Sequence, residues 1–347
     1  MKYQLDELTL VKGFNAGSKA RLDCLKIMED KGFKYLPLFN TRRKILKNKY
    51  ISTFISYLNI LYYSLFIFKK NDIVVLQYPL YTIHGSKKRF YHTLFGKFRG
   101  KLILLIHDIN YLRENKDANS DLGLKYLLEK SDSIIVHTES MKQRLMKDFS
   151  LDKKEFYILN LFDYLTDEKP KISNKFGNTV IFAGNLAKSI FIQRISEIKD
   201  KNILFNLYGT YNNVVLDKNC SYKGRFNPEN VSYIEGDWGL VWDGDSIDTC
   251  SGNVGEYLKL NSSHKTSLYL AAGKPVIVWK KSGIANYIVC NNLGIAVDSL
   301  NEIAYAIRNV SAEKKNKIIE HISYMSSCLR NGHNLSSIID DILIRKR

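Results

Sequence analysis

Short apolar runs alternate with longer segments of helical spacing, and the alternation occurs twice along the chain. In the first half, Asp72 to Gln77, Leu102 to Ile106 and Ser133 to His137 are nearly continuous in Val, Ile and Leu. Runs without strict alternation predict strands buried on both faces, as in a parallel sheet covered by helices. Ala16 to Asp30 places Ala20, Cys24, Ile27 and Met28 on one helical stripe, and Leu122 to Lys130 and Glu139 to Phe149 supply further helices. Together they predict a doubly wound α/β domain.

A polar stretch through Asp167, Glu168, Lys169, Pro170, Lys171, Ser173 and Asn174 then reads as a linker, and the pattern restarts. Strands are predicted at Thr179 to Phe182, Ile203 to Tyr208, Trp238 to Trp242, Pro275 to Trp279 and Gly294 to Val297. Helices fit Ser189 to Lys199, Lys265 to Ala272, Ile284 to Asn291 and Leu300 to Val310. The expected division is residues 1–165, residues 166–330, and a terminal helix in 331–347 packing back on the first domain. Two such units in series place ligands between them, at the carboxyl ends of their strands.

The length, 347 residues, suits two domains, each able to bury a core without disulfides. Five scattered cysteines with no CxxC pair predict reduced thiols in a cytoplasmic protein, not a disulfide framework or zinc site. The net charge of +17 favours anionic partners, namely nucleic acid, a phospholipid surface or a phosphorylated substrate. That charge reads as spread along the chain, with short basic runs at Arg42-Arg43-Lys44 and Lys87-Lys88-Arg89. No nucleic-acid-binding signature accompanies it, so the membrane surface and phosphorylated substrates stay open. Met1 to Val11 has no signal-peptide pattern. Ile51 to Phe68 is apolar and aromatic but interrupted by Ser, Thr and Asn, which predicts a buried or interface-lying helix rather than a spanning one.

Candidate chemistry concentrates in the second half. Asn261-Ser262-Ser263-His264-Lys265-Thr266-Ser267 opens a helix, where unpaired backbone N–H groups and a lysine make an anion site. The same residues also suit simple N-capping, with Lys265 solvated. Ala183-Gly184-Asn185-Leu186 ends a strand in a glycine turn, with Lys188 beyond it. Tyr222-Lys223-Gly224-Arg225-Phe226, before Asn227-Pro228-Glu229, forms either a base-binding loop or a surface turn. In the first half, Phe14 to Ala20 is a single-glycine helix opening and not GxGxxG, which disfavours a nicotinamide enzyme. His107-Asp108-Ile109-Asn110 follows a strand, a place for general-base chemistry or for a capping turn. Asp243-Gly244-Asp245 has the spacing of a metal-nucleotide DxD, but a Gly turn there needs no metal.

Ala-Gly-Ser-Lys-Ala at 16–20, His-Asp-Ile at 107–109, Gly-Leu-Val-Trp-Asp-Gly-Asp at 239–245, and Asn261 to Ser267 with Ala-Ala-Gly-Lys-Pro-Val-Ile at 271–277 resemble one group of bacterial GT-B glycosyltransferases. That group includes glucosyltransferases extending N-acetylglucosamine on serine-rich-repeat adhesins, and related galactofuranosyltransferases. The resemblance implies two facing Rossmann-like domains and a UDP-sugar donor, with neither metal nor other cofactor. It also implies a homo-oligomer and a GlcNAc-bearing glycoprotein acceptor, or else a lipid-linked or surface glycan at the membrane. Donor contacts would fall on Gly184, Asn185, Lys188, Gly224, Phe226, His264, Lys265, Thr266 and Ser267. Acceptor contacts would fall on Asn15, Gly17 and His107, with Asp108 as base. Where family members carry an arginine, Lys188 offers a point charge without the bidentate fork.

Overall fold

The computed structural model describes residues 1–7, 16–38, 49–81, 83, 86–172, 176–210 and 216–345. The first sheet contains β1 (Lys2–Asp6), β2 (Lys34–Pro37), β3 (Ile73–Tyr78), β4 (Lys101–Ile106), β5 (Ser133–Val136) and β6 (Glu155–Ile158). Their order is β2-β1-β3-β4-β5-β6, parallel throughout. The accompanying helices are α1 (Ala16–Asp30), α2 (Lys49–Tyr62), α3 (Lys87–Phe95), α4 (Asn110–Arg113), α5 (Leu122–Lys130) and α6 (Glu139–Phe149). Val74, Val75, Leu76 and Ile103 to Ile106 are fully buried, which explains their unbroken apolar runs.

The second sheet contains β7 (Thr179–Asn185), β8 (Leu204–Thr210), β9 (Cys220–Tyr222), β10 (Trp238–Val241), β11 (Val276–Trp279) and β12 (Gly294–Val297). It runs β12-β11-β10-β7-β8-β9, again all parallel. Its helices are α7 (Gly252–Tyr257), α8 (His264–Ala271), α9 (Ala285–Cys290), α10 (Ile303–Arg308) and α11 (Ala312–Arg330), with α12 (His333–Ile344) closing the chain. The segment read as an α-helix from Ser189 is instead a 3₁₀ helix, Ile190–Glu197, with Phe191, Ile192 and Ile195 buried.

Strand order reverses between β1 and β3 in one sheet and between β7 and β10 in the other. Such switch points open crevices at the carboxyl ends of strands. The terminal helix α12 buries Leu335, Ile339 and Ile342 with Cys24, Ile27 and Met28 of α1, so the chain ends on the first domain. Its first turn is held by Asp163, whose carboxylate accepts the N–H groups of Asn334 (3.1 Å) and Leu335 (2.8 Å). Burial pushes the Asp163 carboxyl up to about 7 against those two hydrogen bonds. The apolar stretch Ile51 to Phe68 forms most of α2 and a π-helical turn at Tyr63–Ile67. Among the described residues, no helix is long and apolar enough to cross a membrane.

Candidate active site

A cavity of about 380 Å³ lies between the two sheets, within the range usual for small-molecule sites. The first domain lines it with Glu7, just past β1, with His107 and Asp108, just past β4, and with His137, just past β5. The second domain lines it with Asp243, just past β10, and with Asn261, Ser262, Ser263 and His264 at the start of α8. Parallel strands thus deliver side chains to one crevice from both sides.

The histidines in this crevice are neutral by environment. His107 Nε2 lies 2.6 Å from Gln77 Oε1, and its ring stacks on Phe162 at 4.8 Å. Burial, with the Arg21 charge second, holds its pKa well below the ordinary histidine value. With Nε2 donating to the amide oxygen, Nδ1 keeps its lone pair. His137 reaches across the domains, its Nδ1 accepting the Ser262 N–H at 3.1 Å and its Nε2 sitting 3.1 Å from Ile106 O. Burial depresses its pKa also. His264 stacks on Tyr164 at 5.1 Å, and burial brings it down to about 4. Neither ring nitrogen of His264 makes a hydrogen bond of good geometry, although the Asp163 backbone lies near enough to raise its pKa slightly.

Around that helix start, other buried polar atoms also lack partners: Asn261 Oδ1, Ser262 Oγ, Thr266 Oγ1 and Ser267 Oγ. Buried polar groups are nearly always satisfied, so a cluster of exceptions needs a reason. Ser263 is the N-cap, its Oγ accepting from Lys265 N at 3.4 Å. The capping reading and the ligand reading therefore coexist in one turn.

Lys265 is not solvated. Its Nζ sits 2.9 and 3.0 Å from the two Asp243 oxygens and 5.0 Å from the Phe182 ring centre. A Cβ on Gly184 would come within 3.3 Å of Lys265 Cε, so the glycine leaves the lysine its place. Asp245, the other acid of the DxD spacing, accepts the Ser251 hydroxyl. The spacing thus produces an ion pair and a turn. Among the described residues no cluster of three or more metal-binding side chains forms.

The other expected site residues divide. Gly224 has φ +84° and its carbonyl accepts the Gly209 N–H, so Gly184, Gly209 and Gly224 stand at the carboxyl ends of β7, β8 and β9. Phe226 lies beside them, edge-on to Tyr208 and stacked on Tyr233. Asn185 and Lys188 are exposed at the end of β7 and in the turn after it. Gly17 falls in the first turn of α1, and Asn15 lies outside the described residues. Asp108 lines the cavity with its Oδ2 bound to Arg113 Nη1 at 2.9 Å, so the expected base is held by a guanidinium.

Several further polar residues in and around the crevice carry no motif in the sequence. Glu7 is 2% exposed and accepts the Tyr81 N–H. Arg21 pairs with buried Asp6 and donates to Pro79 O, bridging the β1 and β3 ends. Lys19, inside the Ala-Gly-Ser-Lys-Ala run, is buried and bound to Asp23 (3.0 Å), Leu165 O (2.7 Å) and Glu229 (2.8 Å). Tyr164 OH donates to Pro228 O, so the Asn227-Pro228-Glu229 loop is fastened to the first domain. A lysine three residues after a helix start was the available clue.

Two doubly wound domains face each other across a crevice lined by neutral histidines, Asp243 and a polar helix start, which is the two-domain architecture of the GT-B class. Residues 2–164 match the N-terminal domain, and residues 180–342 the C-terminal domain, of the Glucosyltransferase 3-like family, and the chain belongs to that family. It is 32% identical over 351 residues to beta-1,6-galactofuranosyltransferase WbbI of Escherichia coli, covering 98% of each chain. Glucosyltransferase 3 of Streptococcus gordonii is 28% identical, over 79% of each chain. In structure it is similar to HepE of Anabaena in complex with UDP, with a TM-score of 0.62, 12% identity and 99% of each chain covered. It is an enzyme of the hexosyltransferase kind.

Proposed function

We propose that the enzyme transfers a hexose from a UDP-sugar to a saccharide hydroxyl, without a metal ion. The observation that carries this reading is the set of unpartnered polar atoms on Asn261, Ser262 and His264, residues that line one crevice, beside Lys265 at a helix N-terminus. Those groups suit a sugar diphosphate, with Lys265 and the helix dipole offsetting charge that builds on the leaving phosphate. Asp243 already engages both its oxygens with Lys265, which supports charge neutralisation by protein instead of metal.

In the reaction the acceptor oxygen bonds to the anomeric carbon as the bond from that carbon to the diphosphate oxygen breaks. UDP leaves with the electron pair, and the hydroxyl proton passes to Asp108. Arg113 holds Asp108 Oδ2, which leaves Oδ1 to meet the acceptor. The aromatic loop around Gly224 and Phe226 would receive the base, and the residues after β7 the phosphates.

Galactofuranose is the first donor sugar to test, because the likeness to WbbI spans the whole chain at the higher identity. Glucose added to a GlcNAc-modified serine-rich-repeat protein is the second reading, supported by the Glucosyltransferase 3 relatives. Cytoplasmic location and a homo-oligomer belong with both readings. The test is UDP release by the purified chain with UDP-galactofuranose, UDP-galactose and UDP-glucose over a panel of saccharide acceptors, in EDTA and in magnesium. Release that depends on both donor and acceptor and persists in EDTA is expected. No release with any pair would overturn the transfer reading, and activity only with metal would overturn the metal-free one.

A further inference from the structure

From Lys31 to His107 the chain contains 15 Lys and Arg and a single acid, Asp72. That span holds +14 of the total +17, so most of the net charge falls in one stretch of the sequence and is not spread evenly along the chain. Asp72 does not offset it at the surface, because it is buried against the N-terminal amine at 2.7 Å.

Among the described residues, the same span carries an exposed apolar face. Between Ile51 and Phe68 there is no charged residue. One side of this helix packs inward: Ile60 is fully buried, and Tyr57 meets Phe90 of α3 edge-on at 5.5 Å. The other side exposes Phe54 (62%), Leu58, Leu61, Tyr62, Leu65 and Phe66 (71%), at spacings of three, four and one that keep them on one stripe. A helix apolar on both faces is expected inside a large core or against lipid, and this one is at the surface. Beside the stripe, α3 and the turn after it expose Lys88, Arg89, Lys97 and Arg99, and Lys69 and Lys70 are exposed at its end.

We propose that this face of α2 and its π-helical continuation docks on an anionic phospholipid surface, the stripe entering the headgroup boundary and the flanking cations meeting lipid phosphates. Interfacial helices combine these two features, and the helix is too short to span. A second copy of the same face is disfavoured, since two surfaces this positive repel each other. A nucleic acid would satisfy the cations but leave Leu58, Leu61 and Leu65 of the stripe in water. The inference stands apart from the choice of donor sugar.

The test is co-sedimentation of the full chain with phosphatidylcholine vesicles, with and without phosphatidylglycerol. Binding to the phosphatidylglycerol vesicles alone, weakened by salt, is expected. The Leu58→Glu/Phe66→Glu double variant should weaken it by about ten- to a hundredfold, as for losing a buried large apolar side chain. UDP release on a soluble acceptor should stay unchanged in that variant. Lys88→Glu/Arg89→Glu, which leaves the apolar stripe intact, should weaken vesicle binding as well, and thermal melts confirm that each variant folds. Absence of vesicle binding, or binding indifferent to both variants, overturns the proposal. So does concentration-dependent self-association that Leu58→Glu/Phe66→Glu disperses, or oligonucleotide binding that exceeds vesicle binding. Vesicle binding needs no donor turnover, so its failure is separate from a failure of the transfer assay.

Discussion

Lys265 holds the electrostatics of the cleft in one contact. Its ammonium rests on both oxygens of Asp243, and both side chains are mostly buried. A diphosphate arriving beside Gly184 would compete with that carboxylate for the lysine. Lys265→Ala is therefore expected to weaken UDP binding by about ten- to a hundredfold, the value of one charge-assisted hydrogen bond, as read by calorimetry. Asp243→Asn removes the competitor, and UDP should bind as well or better, with or without EDTA. Weaker binding in Asp243→Asn that manganese restores would make the DxD spacing a metal site after all. For Asp108, replacement by Asn should lower transfer by about 10² to 10⁴ while UDP affinity stays nearly unchanged. The matched control is Glu7→Gln, a second first-domain carboxylate in the cavity. A normal rate in Asp108→Asn with a collapsed rate in Glu7→Gln would move the base to Glu7. Asp108 and Lys265 stand out in the sequence because each follows or opens an apolar element. Glu7 and Arg21 do not, because their importance comes from the strand order that brings the β1 and β3 ends together.

At the scale of elements, three parallel strands, β7, β8 and β9, carry glycines at or just past their carboxyl ends. Gly209 is the strict one. Its φ is +130°, and a Cβ there would fall 1.7 Å from the Gly184 carbonyl oxygen. Gly209→Ala should thus force β7 and β8 apart at their carboxyl ends, costing about 2 kcal/mol or more. A thermal melt should show this as a clear drop, together with weakened UDP binding. An unchanged melt would mean that the strands shift without loss. Element type was largely legible where burial is two-sided, as in β3, β4, β5 and β11, because nothing but an unbroken apolar run serves there. Elements with mixed composition were not. β1 carries Lys2, Gln4 and Asp6 yet is buried from Tyr3 onward, since Gln4 donates to Leu25 O and Asp6 pairs with Arg21. β2 and β9 are short edge strands whose exposed faces tolerate polar residues.

At the scale of the molecule, a buried carboxylate fastens the returning terminal helix to the first domain. Asp163 anchors the start of α12, and α12 lies on α1. Its folded pKa, raised to about 7 by burial, lies well above the ordinary carboxylate range near 4. Between those values the folded chain keeps a proton that the unfolded chain releases. This contribution to stability is complete below about pH 4 and is lost as pH rises through about 7. Melting temperature should therefore fall between pH 5 and pH 8, and less steeply in Asp163→Asn, which cannot titrate. Equal slopes in both proteins would remove Asp163 from the account. The sequence by itself determined two doubly wound domains, the polar helix start from Asn261 to Ser267 and the family likeness, because apolar periodicity and local runs are properties of neighbours in the chain. Only the tertiary structure decided that Lys265 pairs with Asp243, that Lys19 fastens the loop at Glu229, and that α2 leaves an apolar face uncovered amid most of the net charge. Those are contacts across tens to hundreds of residues, set by strand order and by which faces meet.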